Sequence, residues 1–209
     1  MEKTKTKLVS PVEGQTFEQE DFSGKELSGL AFRGCVFQKC SFRGAVLPEL
    51  SAANCQFLEC RFDYARLSEA RFEGCVLAGC RFDYASLLWA SFLRCKGIGS
   101  IFAEAALTGT AFQGGSFSMA SFQRCDLRKF VFQGVNLEQA DLRECNLRQA
   151  AFPECNLRHA LLTGADLTEA DLTGAEMSGV DFTGAKLKKT KINLEQAALI
   201  AQSLGAVVI

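Results

Sequence analysis

The segment Arg61-Phe62-Asp63-Tyr64-Ala65 recurs unchanged twenty residues later as Arg81-Phe82-Asp83-Tyr84-Ala85. Around both copies, every fifth residue from Phe17 to Ile192 is large and apolar, except at Ala52 and Gly97. No insertion or deletion interrupts this five-residue spacing. Because a period of five fits neither an α-helix nor a single β-strand, it predicts a chain that coils back on itself in equal turns, which is a solenoid.

The other positions of the five-residue unit show which side chains face inward. The residue two places before each large apolar residue is usually small, and only Glu20 and Lys25 place a charge at either of these two positions between Gln15 and Ile192. Unpaired charge is costly in a dry interior, so two positions face inward and three face outward. Every fourth large apolar residue is leucine, from Leu27 to Leu187. The pattern therefore predicts a four-sided β-helix of about nine coils.

The units Ala165-Asp-Leu-Thr-Glu169 and Ala170-Asp-Leu-Thr-Gly174 follow the order small, acidic, large apolar, polar, then polar or glycine. In this order the chain resembles the pentapeptide repeat family. The resemblance implies an all-β fold, a right-handed quadrilateral β-helix, over residues 15–192. Residues 1–14 then form an N-terminal extension, and residues 193–209 form a C-terminal segment.

The sequence offers no set of residues suited to catalysis. All ten cysteines occupy the small inward position, where cysteine acts as a small apolar side chain. They lack C-x-x-C spacing, and the single histidine, His159, is in an outward position. Neither the P-loop nor the dinucleotide-binding glycine motif occurs. We therefore predict no enzymatic activity, no metal site and no cofactor.

Composition and charge narrow the possible partners. The formal net charge is −1, and the arginines near residues 61–81 alternate with acidic residues, which indicates a solvated mixed face rather than direct nucleic-acid binding. The stretch Met1 to Lys7 is polar and unlike a signal peptide. No apolar run approaches the ~20 residues of a membrane span. We expect a cytoplasmic bacterial protein without a membrane partner.

The C-terminal segment departs from the five-residue period. Asn193 and Gln196 predict a capped helix, Gly205 ends it, and Ala206–Ile209 predicts a short apolar strand. Such a segment serves either as a lid over the last coil or as a two-fold interface, and we favour the interface. The predicted dimerisation residues are Leu194, Ala197, Ala198, Ala201, Leu204, Val207, Val208 and Ile209.

Both ends of the chain also resemble Qnr proteins. The similar segments are Phe17–Ser28 and Phe32–Phe37 at the N-terminal end, Leu194–Leu199 and Leu204–Ile209 at the C-terminal end, and Gly97-Ile98 at mid-chain. This resemblance implies a homodimer that mimics DNA, binds bacterial DNA gyrase, topoisomerase IV or both, and protects them from quinolones or related poisons. Qnr proteins commonly project loops. Because the five-residue period is never interrupted, the sequence predicts a shape closer to that of MfpA, which lacks such loops. If the coil is irregular anywhere, we expect this at residues 47–55 and 95–102.

Two outward surfaces are candidates for partner binding. The first is an acidic stretch followed by lysines that would offset it, although acidic residues before the large apolar position are also a preference of the repeat itself. The second is a mid-rod apolar group, unless a bulge at Gly97 turns some of its members inward. Through Trp89 it would suit the alternative function, a non-catalytic interaction scaffold whose partner is not a topoisomerase. The acidic set is Asp166, Glu169, Asp171, Glu176 and Asp181, and the apolar set is Leu88, Trp89, Leu93, Ile98 and Ile101.

Overall fold

The computed structural model describes residues 10–209 and shows a parallel β-solenoid that ends in one helix. Its strands form a seven-stranded sheet, in the order β1-β3-β5-β7-β8-β9-β10, and a three-stranded sheet, β2-β4-β6. All pairings are parallel. The elements are β1 (Val12–Glu13), β2 (Thr16–Glu18), β3 (Ala31–Arg33), β4 (Val36–Gln38), β5 (Ser51–Ala53), β6 (Gln56–Leu58), β7 (Arg71–Glu73), β8 (Ser91–Leu93), β9 (Ala111–Gln113), β10 (Phe132–Gln133) and α1 (Leu194–Ser203).

Each pairing joins residues twenty apart, which confirms the predicted four-sided coil. Six such steps connect Val12 to Phe132 through the named strands of the larger sheet. Isolated bridges continue the same column by three more steps, from Val131 to Lys191. The coil thus begins at Val12, within the segment predicted as an extension, whereas residues 1–9 of that segment lie outside the described residues.

Four sides of the rod follow from these columns, and they are numbered here by the large apolar residues they carry. Side I carries Phe32, Phe72 and Phe92; side II carries Phe37, Phe57 and Phe117; side III carries Phe42, Phe62 and Phe82; side IV carries Leu47, Leu67 and Leu87. All of these side chains are buried.

The core is a set of stacked columns whose spacing is set by the backbone. On side III, the ring centroids of Phe42, Phe62 and Phe82 are 4.8 Å apart and nearly parallel. This is also the distance between neighbouring strands. Rings on adjacent sides meet edge to face, as Phe37 and Phe42 do at 5.6 Å. The interior of the coil is therefore filled by side chains, and along the coil it is the outward positions that are accessible.

The ten cysteines are free and buried, and their thiols form hydrogen bonds with backbone carbonyl groups. Cys60 Sγ donates to the carbonyl of Phe37 at 3.3 Å, and Cys125 Sγ donates to that of Phe102 at 2.9 Å. The hydroxyl of Thr110 donates to the carbonyl of Leu87 in the same way. Burial raises the pKa of Cys125 to about 12, so the thiol stays protonated. Within residues 10–209, no group of three or more potential ligands could hold a metal ion.

The two breaks in the apolar pattern are absorbed inside the coil. At Ala52, the large residue is instead Leu50, which stands at the usually small inward position two residues earlier and is buried together with Ala52. At Gly97, the ring of Phe117 lies where a Cβ would project. The backbone stays in register at both places, because β5 spans 51–53 and the Gly97 amide donates to Ser116 at 2.8 Å. Neither 47–55 nor 95–102 protrudes as a loop.

The C-terminal helix covers the last coil, and its capping box at Asn193 and Gln196 is as predicted. Gln196 and Ile200 are buried, and Leu199 packs against the core. The Gln196 side-chain amide donates to the carbonyls of Leu172 and Ala175 at 2.6 and 2.8 Å, which satisfies the open edge of the coil. The predicted strand at 206–209 is wrong for the single chain, because these residues pair with no strand in the described structure. No helix within residues 10–209 is long and apolar enough to span a membrane.

We expect Gln196→Ala to lower the free energy of unfolding by about 1–3 kcal/mol. The Ala175 carbonyl loses its donor, and the Leu172 carbonyl keeps only the Ala175 amide. The Asn193 amide loses the Gln196 side-chain oxygen. Gln202→Ala, on the exposed part of the same helix, is the matched control and should change stability by less than about 0.5 kcal/mol. Urea titrations followed by circular dichroism measure both. Equal losses in the two variants would show that the amide does not cap the coil.

Candidate functional site

The acidic residues predicted as one patch lie on all four sides of the rod. Successive five-residue units occupy successive sides, so Asp166 lies on side IV, Asp171 on side I, Glu176 on side II and Asp181 on side III. Glu169 lies at the corner between sides IV and I. We call these five residues the acidic ring. The prediction of a single patch is therefore wrong in geometry, because neighbours in sequence diverge around the coil.

The carboxylates of the acidic ring also have local structural roles. Asp171 and Asp181 accept hydrogen bonds from the amides two residues on, at 3.1 and 2.9 Å. Hydrogen bonds from Thr173 and Thr183 hold the pKa of these two carboxyls below the ordinary aspartate value, so both are ionised at neutral pH. Lys191 Nζ lies 3.4 Å from Asp171 and offsets part of the charge.

The mid-rod apolar group divides among three places. Trp89, 69% exposed, lies at the corner between sides IV and I, with Leu88 before this corner and Leu93 on side I. Ile98 lies on side II and Ile101 on side III. Only Leu88, Trp89 and Leu93 are therefore neighbours.

Side I extends this apolar corner along the rod. In the next three coils of this side, the two outward residues that flank each large apolar residue carry no charge, and Val131 is 52% exposed. Sequence reasoning missed them because they are twenty residues apart; reading every twentieth outward residue would have found them. They are Ala111, Gln113, Val131, Gln133, Ala151 and Pro153.

The predicted dimerisation residues concentrate at one end of the rod. Leu194, Leu204, Val207, Val208 and Ile209 are exposed, whereas Ala197, Ala198 and Ala201 are half-buried. The helix residues that contact the coil are instead Gln196, Leu199 and Ile200. The single chain thus leaves an apolar end uncovered.

Comparisons with known proteins agree with this architecture. A family model described as a pentapeptide repeat region matches residues 51–120 and 111–182. HetL, a pentapeptide repeat protein involved in heterocyst differentiation regulation from the cyanobacterium Nostoc sp. strain PCC 7120, is 22% identical, with a TM-score of 0.60 over 86% of this chain and 87% of HetL. Full-length QnrB1, a plasmid-mediated fluoroquinolone resistance protein, is 22% identical, with a TM-score of 0.52 over 94% of this chain and 100% of QnrB1. No curated protein sequence matches the chain significantly.

The position of Trp89 can be tested through Gly109, on which the indole ring lies. We expect Gly109→Ala to displace the ring and to increase acrylamide quenching of its fluorescence, because an added Cβ would overlap the indole. Trp89 is the only tryptophan, so the signal is specific. Gly99→Ala is the control: its backbone φ is +65°, close to +71° at Gly109, but its Cβ would meet nothing within 4 Å. Identical quenching in both variants would contradict this placement.

Proposed function

The chain belongs to the pentapeptide repeat family, and we propose that it is a non-catalytic protein of the bacterial cytoplasm that binds a type II topoisomerase in place of DNA. In this role it protects DNA gyrase, topoisomerase IV or both from quinolones or related poisons. The resemblance of both chain ends to Qnr proteins supports the proposal. The similarity of its fold to that of QnrB1 over nearly the whole length agrees with it.

The unbroken rod is the observation that carries the proposal. Nine steps of ~4.8 Å along the column from Val12 to Lys191 make a rod about 43 Å long without a protruding loop. Duplex DNA presents one negative charge per ~1.7 Å around its whole circumference. The acidic ring likewise presents carboxylates on every side of one coil. A basic DNA-binding surface could therefore meet negative charge from any rotational setting of the rod.

The uncovered apolar end supports a two-fold dimer. Val207, Val208 and Ile209 extend beyond the helix and are exposed, whereas the last coil is already closed by Gln196 and Ile200. A lid alone does not need these residues. Joined through equivalent ends, two copies would make a rod of about 90 Å.

We expect the triple variant Val207→Ser, Val208→Ser, Ile209→Ser to be monomeric, because it removes apolar surface from the proposed interface. Size-exclusion chromatography with light scattering measures the mass. The variant should still unfold cooperatively, since Gln196 and the helix stay in place, but its unfolding midpoint should no longer rise with protein concentration as that of a dimer does. A dimer that persists in this variant would place the interface elsewhere.

The topoisomerase proposal predicts that the protein restores DNA supercoiling by gyrase in the presence of a fluoroquinolone. Neutralising the acidic ring should weaken this protection about tenfold or more, because a DNA mimic needs its negative charge. Asparagine and glutamine replacements keep the hydrogen-bond acceptors of the turns. The ring variant is Asp166→Asn, Glu169→Gln, Asp171→Asn, Glu176→Gln and Asp181→Asn.

A control variant removes the same number of charges from the first coils and should protect almost as well as wild type. It carries Glu18→Gln, Glu20→Gln, Glu26→Gln, Glu49→Gln and Glu59→Gln. If wild type leaves both gyrase and topoisomerase IV unaffected across a wide concentration range, the proposed target is wrong. If both variants lose protection equally, net charge rather than the acidic ring is responsible.

A further inference from the structure

The repeated segments 61–65 and 81–85 build a surface that the sequence pattern did not reveal. Because they are twenty residues apart, they lie side by side in adjacent coils, with Arg61 bridged to Arg81. The surface covers side III, the corner toward side IV and, through Arg66, the adjoining edge of side IV. We call it the arginine–tyrosine surface, and its members are Arg43, Arg61, Tyr64, Arg66, Arg81 and Tyr84.

Two tyrosine rings form the apolar part of this surface. Tyr64 and Tyr84 are stacked at the corner, with centroids 5.2 Å apart and planes 9° from parallel. They are 53% and 49% exposed. The guanidinium carbon of Arg43 lies 5.7 Å from the Tyr64 ring, which extends the stack. At the Tyr84 end of the stack, Tyr84 Oη donates a hydrogen bond to Glu104 at 3.1 Å, which holds the Tyr84 ring in place.

The acidic residues between the arginines lie beneath them. Asp63 is only 3% exposed; its carboxylate accepts a hydrogen bond from Arg61 Nε at 3.0 Å and lies 3.4 Å from Arg81 Nε. Asp83 pairs with Arg81 Nε at 3.0 Å. The arginine side chains are about half exposed, at 52% and 50%. Basic and acidic side chains alternate along the sequence of this face, but the groups that it presents to solvent are mainly the cationic guanidinium groups.

We propose that the arginine–tyrosine surface binds an acidic, extended polypeptide segment of a partner protein. Guanidinium groups match carboxylates in planar, two-pronged hydrogen bonds, and the Asp63 and Asp83 contacts hold Arg61 and Arg81 in place for such bonds. The tyrosine pair supplies a flat apolar platform for side chains between the carboxylates. Tyrosine and arginine are also among the residue types enriched at the energetically important positions of protein interfaces.

Charge favours a peptide over a nucleic acid at this surface. Nucleic-acid affinity comes largely from neutralising many phosphates along a continuous basic track. Here the arginines cover only neighbouring coils, Asp83 and Glu104 lie in the same rows, and the chain has a net charge of −1. The surface is separate from the acidic ring, so this proposal does not depend on binding to a topoisomerase.

The probe is a fluorescein-labelled peptide of twelve residues in which glutamate and tyrosine alternate, and its anisotropy is followed at low ionic strength. We expect wild-type protein to bind it. Arg61→Gln with Arg81→Gln, and separately Tyr64→Ala with Tyr84→Ala, should each weaken binding about tenfold or more. The tyrosine variant leaves both Asp63 ion pairs intact, so its result does not depend on how the arginine variant folds.

Arg143→Gln is the matched control, because Arg143 forms a similar ion pair with Asp141 on side III without a neighbouring tyrosine. Its affinity should stay within about twofold of wild type. A lysine–tyrosine peptide of the same length should not bind. The proposal is overturned if the glutamate peptide does not bind, if the lysine peptide or a twelve-nucleotide oligothymidylate binds as tightly or more tightly, or if both double variants match wild type.

Discussion

The hydrogen-bond ladder between successive coils is the constraint on which the rest of the structure depends. The Phe62 amide donates to the carbonyl of Arg81 at 2.6 Å, and the Arg81 amide donates back to that of Cys60 at 3.0 Å. These bonds join residues nineteen to twenty-one apart and recur along the rod, so they fix each turn at twenty residues. An insertion that did not leave the coil as a loop would shift every later pairing. The same ladder sets the 4.8 Å ring spacing that fills the core.

Most of what this constraint controls could be predicted from the sequence, although the coil begins at Val12, earlier than the repeat pattern indicates. The inward positions, the four sides and the burial of the cysteines all follow from the five-residue period and from the cost of burying charge. The helix start at Asn193 was also predictable, because a capping box is local. The second role of Gln196 was not, since its bonds to Leu172 and Ala175 exist only once the helix lies across the last coil.

The outward surfaces were harder to predict, because proximity in sequence is misleading on a four-sided coil. Asp166 and Asp171 are five residues apart and lie on different sides, whereas Tyr64 and Tyr84 are twenty apart and stack. The apolar corner at Trp89 continues at Val131, two coils further along. The information was present in the twenty-residue columns. The columns do not show how deeply each outward side chain is buried, and this burial decides whether a carboxylate such as Asp63 contributes to the surface charge.

This separation of buried from exposed charge explains how a nearly neutral rod presents surfaces of opposite sign. Arg81 and Asp181 both lie on side III, five coils apart, which is about 24 Å at one strand spacing per coil. At physiological ionic strength the Debye length is ~8 Å, so charges at that distance are largely screened from each other. The acidic ring and the arginine–tyrosine surface therefore act as independent electrostatic sites. A rigid rod with such sites can hold two partners of opposite charge at a fixed distance, and no change of conformation is needed.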